Sequence, residues 1–184
     1  MKKYIGFLII VFLSSCVIHG QEKAIILKKG KVPELKKGDY YRFSEQIEKS
    51  KPFEGLWEYK NGNESFTIKI AIKKTFIPKM DVFFDQPQLE YSYDKGNGEI
   101  ISNASLDGYM KGGSVIESDI IKFTTSDVLK VKTIYIELEL LGNNQARMTL
   151  NNIPGGITVV LPGEPKQKKD RTFSIPTDII LTKK

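Results

Sequence analysis

One cysteine, one histidine and one tryptophan occur in 184 residues, and each scarcity removes a class of chemistry. Cys16 has no second cysteine to pair with, so the domain that follows must be stabilised by its core rather than by an internal disulfide. His19 lies beside Cys16 near the start of the chain. The remainder therefore lacks the Ser-His and Cys-His pairs of nucleophilic enzymes and the histidine-rich zinc sites. No Asp-x-Asp-x-Asp loop of the calcium-binding kind is present. These absences lead us to expect no enzyme, no metal and no cofactor.

Apolar runs are equally scarce outside the N-terminus. Lys2 and Lys3 precede an apolar stretch from Tyr4 to Leu13, followed by small residues and then polar chain. The stretch is shorter than the roughly 20 apolar residues of a spanning helix, so residues 1–20 are expected to be an export signal. Leu13-Ser14-Ser15-Cys16 has the Leu-small-small-Cys order of a bacterial lipobox, which predicts a lipid anchor on Cys16. The expected location is then the periplasm or outer membrane, as a lipoprotein. Cleavage near Gly20, giving a secreted protein, is the alternative.

With Lys2 and Lys3 removed, 26 basic residues face 22 acidic ones. That surplus is concentrated in "LKKGKVPELKKG", Leu27 to Gly38, which reads as a solvated basic tether or a segment lying along an anionic membrane. No stacking aromatics interleave with the lysines, so nucleic acid is not an expected partner. Phe43 and Ile47, four apart among polar residues, predict one short helix before Pro52. We therefore divide the chain into signal (1–20), tether with helix (21–52) and a β domain (53–184).

From Gly55 onward the pattern has period two. Phe66, Ile68, Ile70 and Ile72 share one side of a strand, with Thr67, Lys69 and Lys73 on the other; Ile134, Ile136, Leu138 and Leu140 repeat the arrangement. Turn signals separate such segments at Asn61-Gly62, Asn97-Gly98, Gly112-Gly113, Gly142-Asn143-Asn144, Pro154-Gly155 and Pro162-Gly163. An all-β domain follows: a single antiparallel meander of about eight strands, closing as an up-and-down barrel, with a β-sandwich as the alternative.

Two resemblances accompany this reading. A short helix, then Gly55-Leu56-Trp57 opening the first strand, then a meander resembles the lipocalin plan. That resemblance implies a tryptophan plugging the closed end and a late arginine packed over it, for which Arg147 and Arg171 are the available residues. The run "GDYYRFSEQIEKSKPFEGLWEYKNGNESFTIKI", with "YSYDKGNGEIISN" and "FSIPTDIILTKK", is similar to an uncharacterised family of short exported proteins and lipoproteins of flavobacteria and their relatives. This second resemblance implies export and a β-rich domain, and brings no catalytic residues.

Among the remaining features, Asp81, Asp85 and Glu90 are close in sequence, yet Pro87 makes the stretch look like a strand end entering a loop. Solvated carboxylates are the expectation there, rather than a glycosidase pair. "DKGNGE", Asp94 to Glu99, carries the glycines of a phosphate loop but is followed by another strand, so a hairpin turn accounts for it. If the barrel holds a small apolar ligand, Trp57, Phe66, Ile68, Tyr91, Tyr93 and Ile136 would line it; if not, they fill the core. In the alternative, the domain is a non-catalytic module meeting an envelope protein or polysaccharide through its loops, Ser105 to Ser114 or Asn151 to Thr172.

Overall fold

The computed structural model describes residues 23–28, 34–152 and 172–184. Signal, lipobox, His19, Arg171 and most of the Asn151 to Thr172 loop lie outside the described residues. Among the described residues, eleven strands form one strongly curled mixed sheet, a half-barrel, with one α-helix. The sandwich alternative is excluded, because the core lies in the concavity of a single sheet.

The central order is β5-β4-β3-β11-β10-β9-β8-β7. Here β3 is Gly55–Asn61, β4 Glu64–Ile77, β5 Val82–Asp94, β7 Gly113–Glu117, β8 Ile120–Asp127, β9 Lys132–Gly142, β10 Gln145–Asn152 and β11 Asp178–Lys183. These eight strands are the expected meander. Its first and last members pair, Trp57 opposite Lys183 and Glu58 opposite Thr182, so the curl closes where the domain begins and ends. The period-two residues point inward as alternation requires: Phe66, Ile68, Ile70, Ile134, Ile136 and Leu138 are buried.

Three further strands lie outside this meander, and of these only the one that follows the Asp94 to Glu99 turn was expected. β6 (Ile100–Ser102) adds to the upper part of β5. β1 (Ile25–Leu27) and β2 (Tyr40–Phe43) join the edge of β5 in parallel, within the stretch read as tether and helix. Their reason is tertiary. β3 pairs with β4 only as far as Ile70, while the β4–β5 hairpin continues to Ile77 and Val82. On the β5 side this overhang presents an edge, at Phe83 and Phe84, that β2 covers. Leu27, Tyr41 and Val82 form a second small core there, with Phe43 and Phe84 against it.

Helix α1 (Ser44–Ser50) follows β2 directly, with Ile47 turned inward as expected. Seven residues make a marginal helix on their own. It is held by Ile47 burial and by Gln46, whose Nε2 donates to Val115 O in β7 at 3.1 Å. A 3-10 turn with Pro52 in its first turn then delivers Phe53, fully buried, to the base of the half-barrel.

Between β5 and β7 the sheet is joined by one isolated bridge, Gln88 to Gly112. Side chains lace the rest of this seam. Asn103 is fully buried; its Oδ1 accepts from Tyr91 N at 2.7 Å, and its Nδ2 donates to Leu89 O and Thr125 Oγ1. Pro87 sits inside β5 rather than at a strand end. It falls between the segments covered by β2 and β6, where a missing N–H breaks no ladder bond.

Candidate functional site

The six residues singled out from sequence converge on the interior. Trp57 is buried at the base, its Nε1 donating to Phe53 O at 2.8 Å. Gly55, two residues before, has φ +122, a conformation that favours glycine, and a Cβ there would lie 3.1 Å from Lys183 Cε. Among the described residues the late cation over the tryptophan is Lys183: its Nζ lies 5.2 Å from the ring centroid and donates to Pro52 O at 2.8 Å. Arg147 is instead exposed and grips Asp178 through Nε and Nη2, at 2.9 and 2.7 Å. Lys183 was missed because no local pattern marks it; only the β3–β11 pairing brings it to Trp57.

Above Trp57, Phe66 stacks on Tyr91 at 5.9 Å and meets Tyr93 edge-on at 6.0 Å. Ile68 and Ile136 pack in the same cluster. Five of the six expose 1% or less, and Tyr93 is half-buried. Side chains lining a void large enough for water would show accessible surface, so these five are packed against protein atoms. Burial pushes the Tyr91 hydroxyl up to about 12; the neighbouring Asp127 carboxylate acts in the same direction, against a backbone hydrogen bond at Val128. Tyr93 is raised by burial and by Glu64.

The three carboxylates are separated into different roles. Asp85 is buried and accepts from the Tyr40 hydroxyl at 2.5 Å and from Arg42 Nε. Glu90 accepts from Lys73 at 3.0 Å and from the buried Lys111 at 3.2 Å; these partners hold its carboxyl below the usual range, Lys73 contributing most and burial opposing. Asp81 is exposed at the hairpin tip. Asp85 and Glu90 are thus each engaged by cations or hydroxyls rather than facing another carboxylate. Among the described residues no group of three or more His, Cys, Asp or Glu is placed to hold a metal. In the Asp94 to Glu99 turn, Gly96 N donates to Asp94 Oδ1 and Glu99 N to Asn97 Oδ1, so these amides serve the turn itself.

The Ser105 to Ser114 loop is the one predicted recognition segment that the structure describes in full. Its 3-10 turn, Gly108–Lys111, lies on the outer face of β4 and β5 and leaves a groove of about 330 Å³. Tyr109, 46% exposed, is its aromatic wall, with Pro78 at the rim; the Phe76 ring, next in the strand after Thr75, turns to the other face and lies 5.1 Å from Phe83. The floor is Thr75 and Gln88, both buried, with Gln88 Nε2 donating to Thr75 Oγ1 at 2.5 Å. Asp107 stands on the rim, while the Lys74 ammonium lies on the other face of the hairpin, over the Phe83 ring at 4.3 Å and the Tyr40 ring at 4.7 Å. Gly108 permits this arrangement, because a Cβ there would collide with the Gln88 amide. A second, shallower depression of about 650 Å³ runs over the opposite wall, between Tyr59, Leu141 and Ile180, and is crossed by the Arg147–Asp178 pair.

Fold and grooves together define an all-β half-barrel domain, closed at one end by a helix and a capped tryptophan, with its interior packed and an aromatic-walled cleft on its outer face. The chain belongs to a family of unknown function, DUF6705, which matches residues 1–111. No curated protein and no solved structure matches it.

Proposed function

We propose that this protein is a non-catalytic binding module of a bacterial cell envelope, exported by its N-terminal signal and anchored through lipid on Cys16, that holds a saccharide segment of an envelope polysaccharide against Tyr109 in this groove. The observation that carries this reading is the groove. The exposed Tyr109 ring offers the apolar face of a sugar ring a surface, while the Gln88 amide and the Asp107 carboxylate offer hydroxyl groups donors and acceptors. A volume near 330 Å³ lies at the low end of ligand sites and suits one or two rings. The lipobox at Leu13 to Cys16 and the resemblance to short exported flavobacterial proteins support the address. Affinity electrophoresis of the chain against purified envelope polysaccharides and peptidoglycan fragments tests it. Retardation that Tyr109→Ala abolishes and Phe76→Ala, on the other face, leaves intact is the expected result, and equal mobility of the native chain and Tyr109→Ala on every polymer would refute it.

A container reading draws on the curl of the sheet and its stoppered base. In it a small apolar molecule lies against Trp57, Phe66, Ile68, Tyr91, Tyr93 and Ile136 after these side chains move apart. Native mass spectrometry of the protein taken from envelope extract separates the two, since only the container carries a discrete extractable mass.

A further inference from the structure

The overhanging β4–β5 hairpin ends in the turn Ile77 to Val82, and a second turn, Lys36 to Asp39, is fastened to it. Gly38 N donates to Asp81 O at 2.6 Å and Phe83 N to Asp39 O at 2.8 Å. The two turns form one blunt tip. Lys36, Lys37, Lys79 and Met80 are exposed on it, and Met80 is 46% accessible. Among the described residues none of these lysines is held in an ion pair. The acidic groups at this end are Glu34, Asp39 and Asp81, and Asp39 accepts a hydrogen bond from the Tyr41 hydroxyl at 3.0 Å.

The polarity of the edge strands gives the tip its orientation. β5 leaves the tip at Val82, β2 runs parallel to it with Tyr40 opposite Phe83, and β1 runs parallel to β2 with Ile25 opposite Tyr41. The chain therefore enters the domain from the tip side, carrying the exposed Lys23 just before β1 and the exposed Ile25 and Ile26 within it. From Cys16 to Lys23 is seven peptide steps, which span at most about 25 Å even when fully extended. A lipid on Cys16 thus keeps this end of the domain close to the bilayer.

We propose that the tip is a membrane-docking surface for anionic phospholipid: Lys36, Lys37 and Lys79 lie among the headgroups, and Met80 reaches into the interfacial layer. The inference rests on the lipid anchor at Cys16. It orients the domain, setting the hairpin overhang at the membrane and the Asn61-Gly62-Asn63 turn, at the other end of β3 and β4, away from it.

The full lipidated chain tests the idea, and because Cys16 is the only native cysteine, a single introduced cysteine takes the label. Met80→Cys and Asn63→Cys are each labelled with an environment-sensitive fluorophore and reconstituted in phosphatidylglycerol or phosphatidylcholine vesicles. The expected result is a blue shift and loss of access to an aqueous quencher for the Met80 probe in phosphatidylglycerol. The Asn63 probe should report water in both lipids, and Lys36→Glu with Lys37→Glu and Lys79→Glu should return the Met80 probe to the aqueous value. Equal, water-like emission from both probes on an anchored protein overturns the docking surface and leaves the anchor standing. The mass of the N-terminal peptide reads the anchor itself; an unmodified Cys16 removes the anchor and the orientation with it.

Discussion

Tyr91 has its ring inside the half-barrel and its hydroxyl donating to Ser126 O at 2.9 Å, so its ionisation and the fold are linked. Its folded-state pKa, about 12, exceeds the ordinary tyrosine value of 10. A raised pKa means that the unfolded chain releases this proton first. The stabilisation is complete below pH 10 and is lost between about pH 10 and 12. Chemical denaturation across that range should show stability falling with pH, and Tyr91→Phe should flatten the part of the slope that belongs to this group. Val131 makes a separate case. It is 88% exposed with φ +50, a left-handed conformation costly for a β-branched residue. Val131→Asn should raise stability by about 1 kcal/mol, read as a higher Tm, because asparagine tolerates that backbone without losing any packing. Nothing around Val131 in the sequence marks this strain, since "LKVKT" reads as the start of a strand.

At the scale of elements, the seam between β5 and β7 is where pairing passes from backbone to side chains. Asn103 alone satisfies Tyr91 N–H, Leu89 C=O and Thr125 Oγ1 in a place closed to water. Asn103→Ala should therefore cost about 3 kcal/mol in urea denaturation, since it strands buried backbone groups as well as removing its own bonds. Hydrogen exchange should then speed up at Tyr91 before the β3–β4 ladder is affected. The long hairpins were legible because Phe66 to Ile72 and Ile134 to Leu140 alternate without interruption. β1 and β2 were not, and β6 was legible only as the strand that follows the Asp94 to Glu99 turn. Three or four residues carry too little pattern to distinguish a strand from a tether; β2 and β6 form because β5 offers an edge, and β1 because β2 then offers another. Gly112-Gly113, read as a turn, opens β7 instead, where a Cβ on Gly113 would collide with the Phe123 ring.

For the whole molecule, the decisive contact is between ends. β11 pairs with β3, Lys183 covers Trp57, and Lys184 Nζ reaches Glu58 at 2.7 Å. The family match ends at Lys111, just before β7, so it takes in β3, β4 and β5 but none of the strands that complete their core. A chain cut after Lys111 would expose Trp57, Phe66 and Ile68 and leave β3 as an open edge. It should show no cooperative melt and should aggregate, whereas the full chain should give one sharp transition by circular dichroism. The sequence by itself determined that the domain is β, that its strands alternate, and that one short helix precedes Gly55, because side-chain period and turn chemistry are local properties. Tertiary structure alone decided that Pro87 lies within a strand, that a lysine caps the tryptophan, that Tyr109 walls a groove over Thr75 and Gln88, and that the chain enters at the hairpin tip. Each of these depends on residues distant in sequence, and only closure of the curled sheet brings them together.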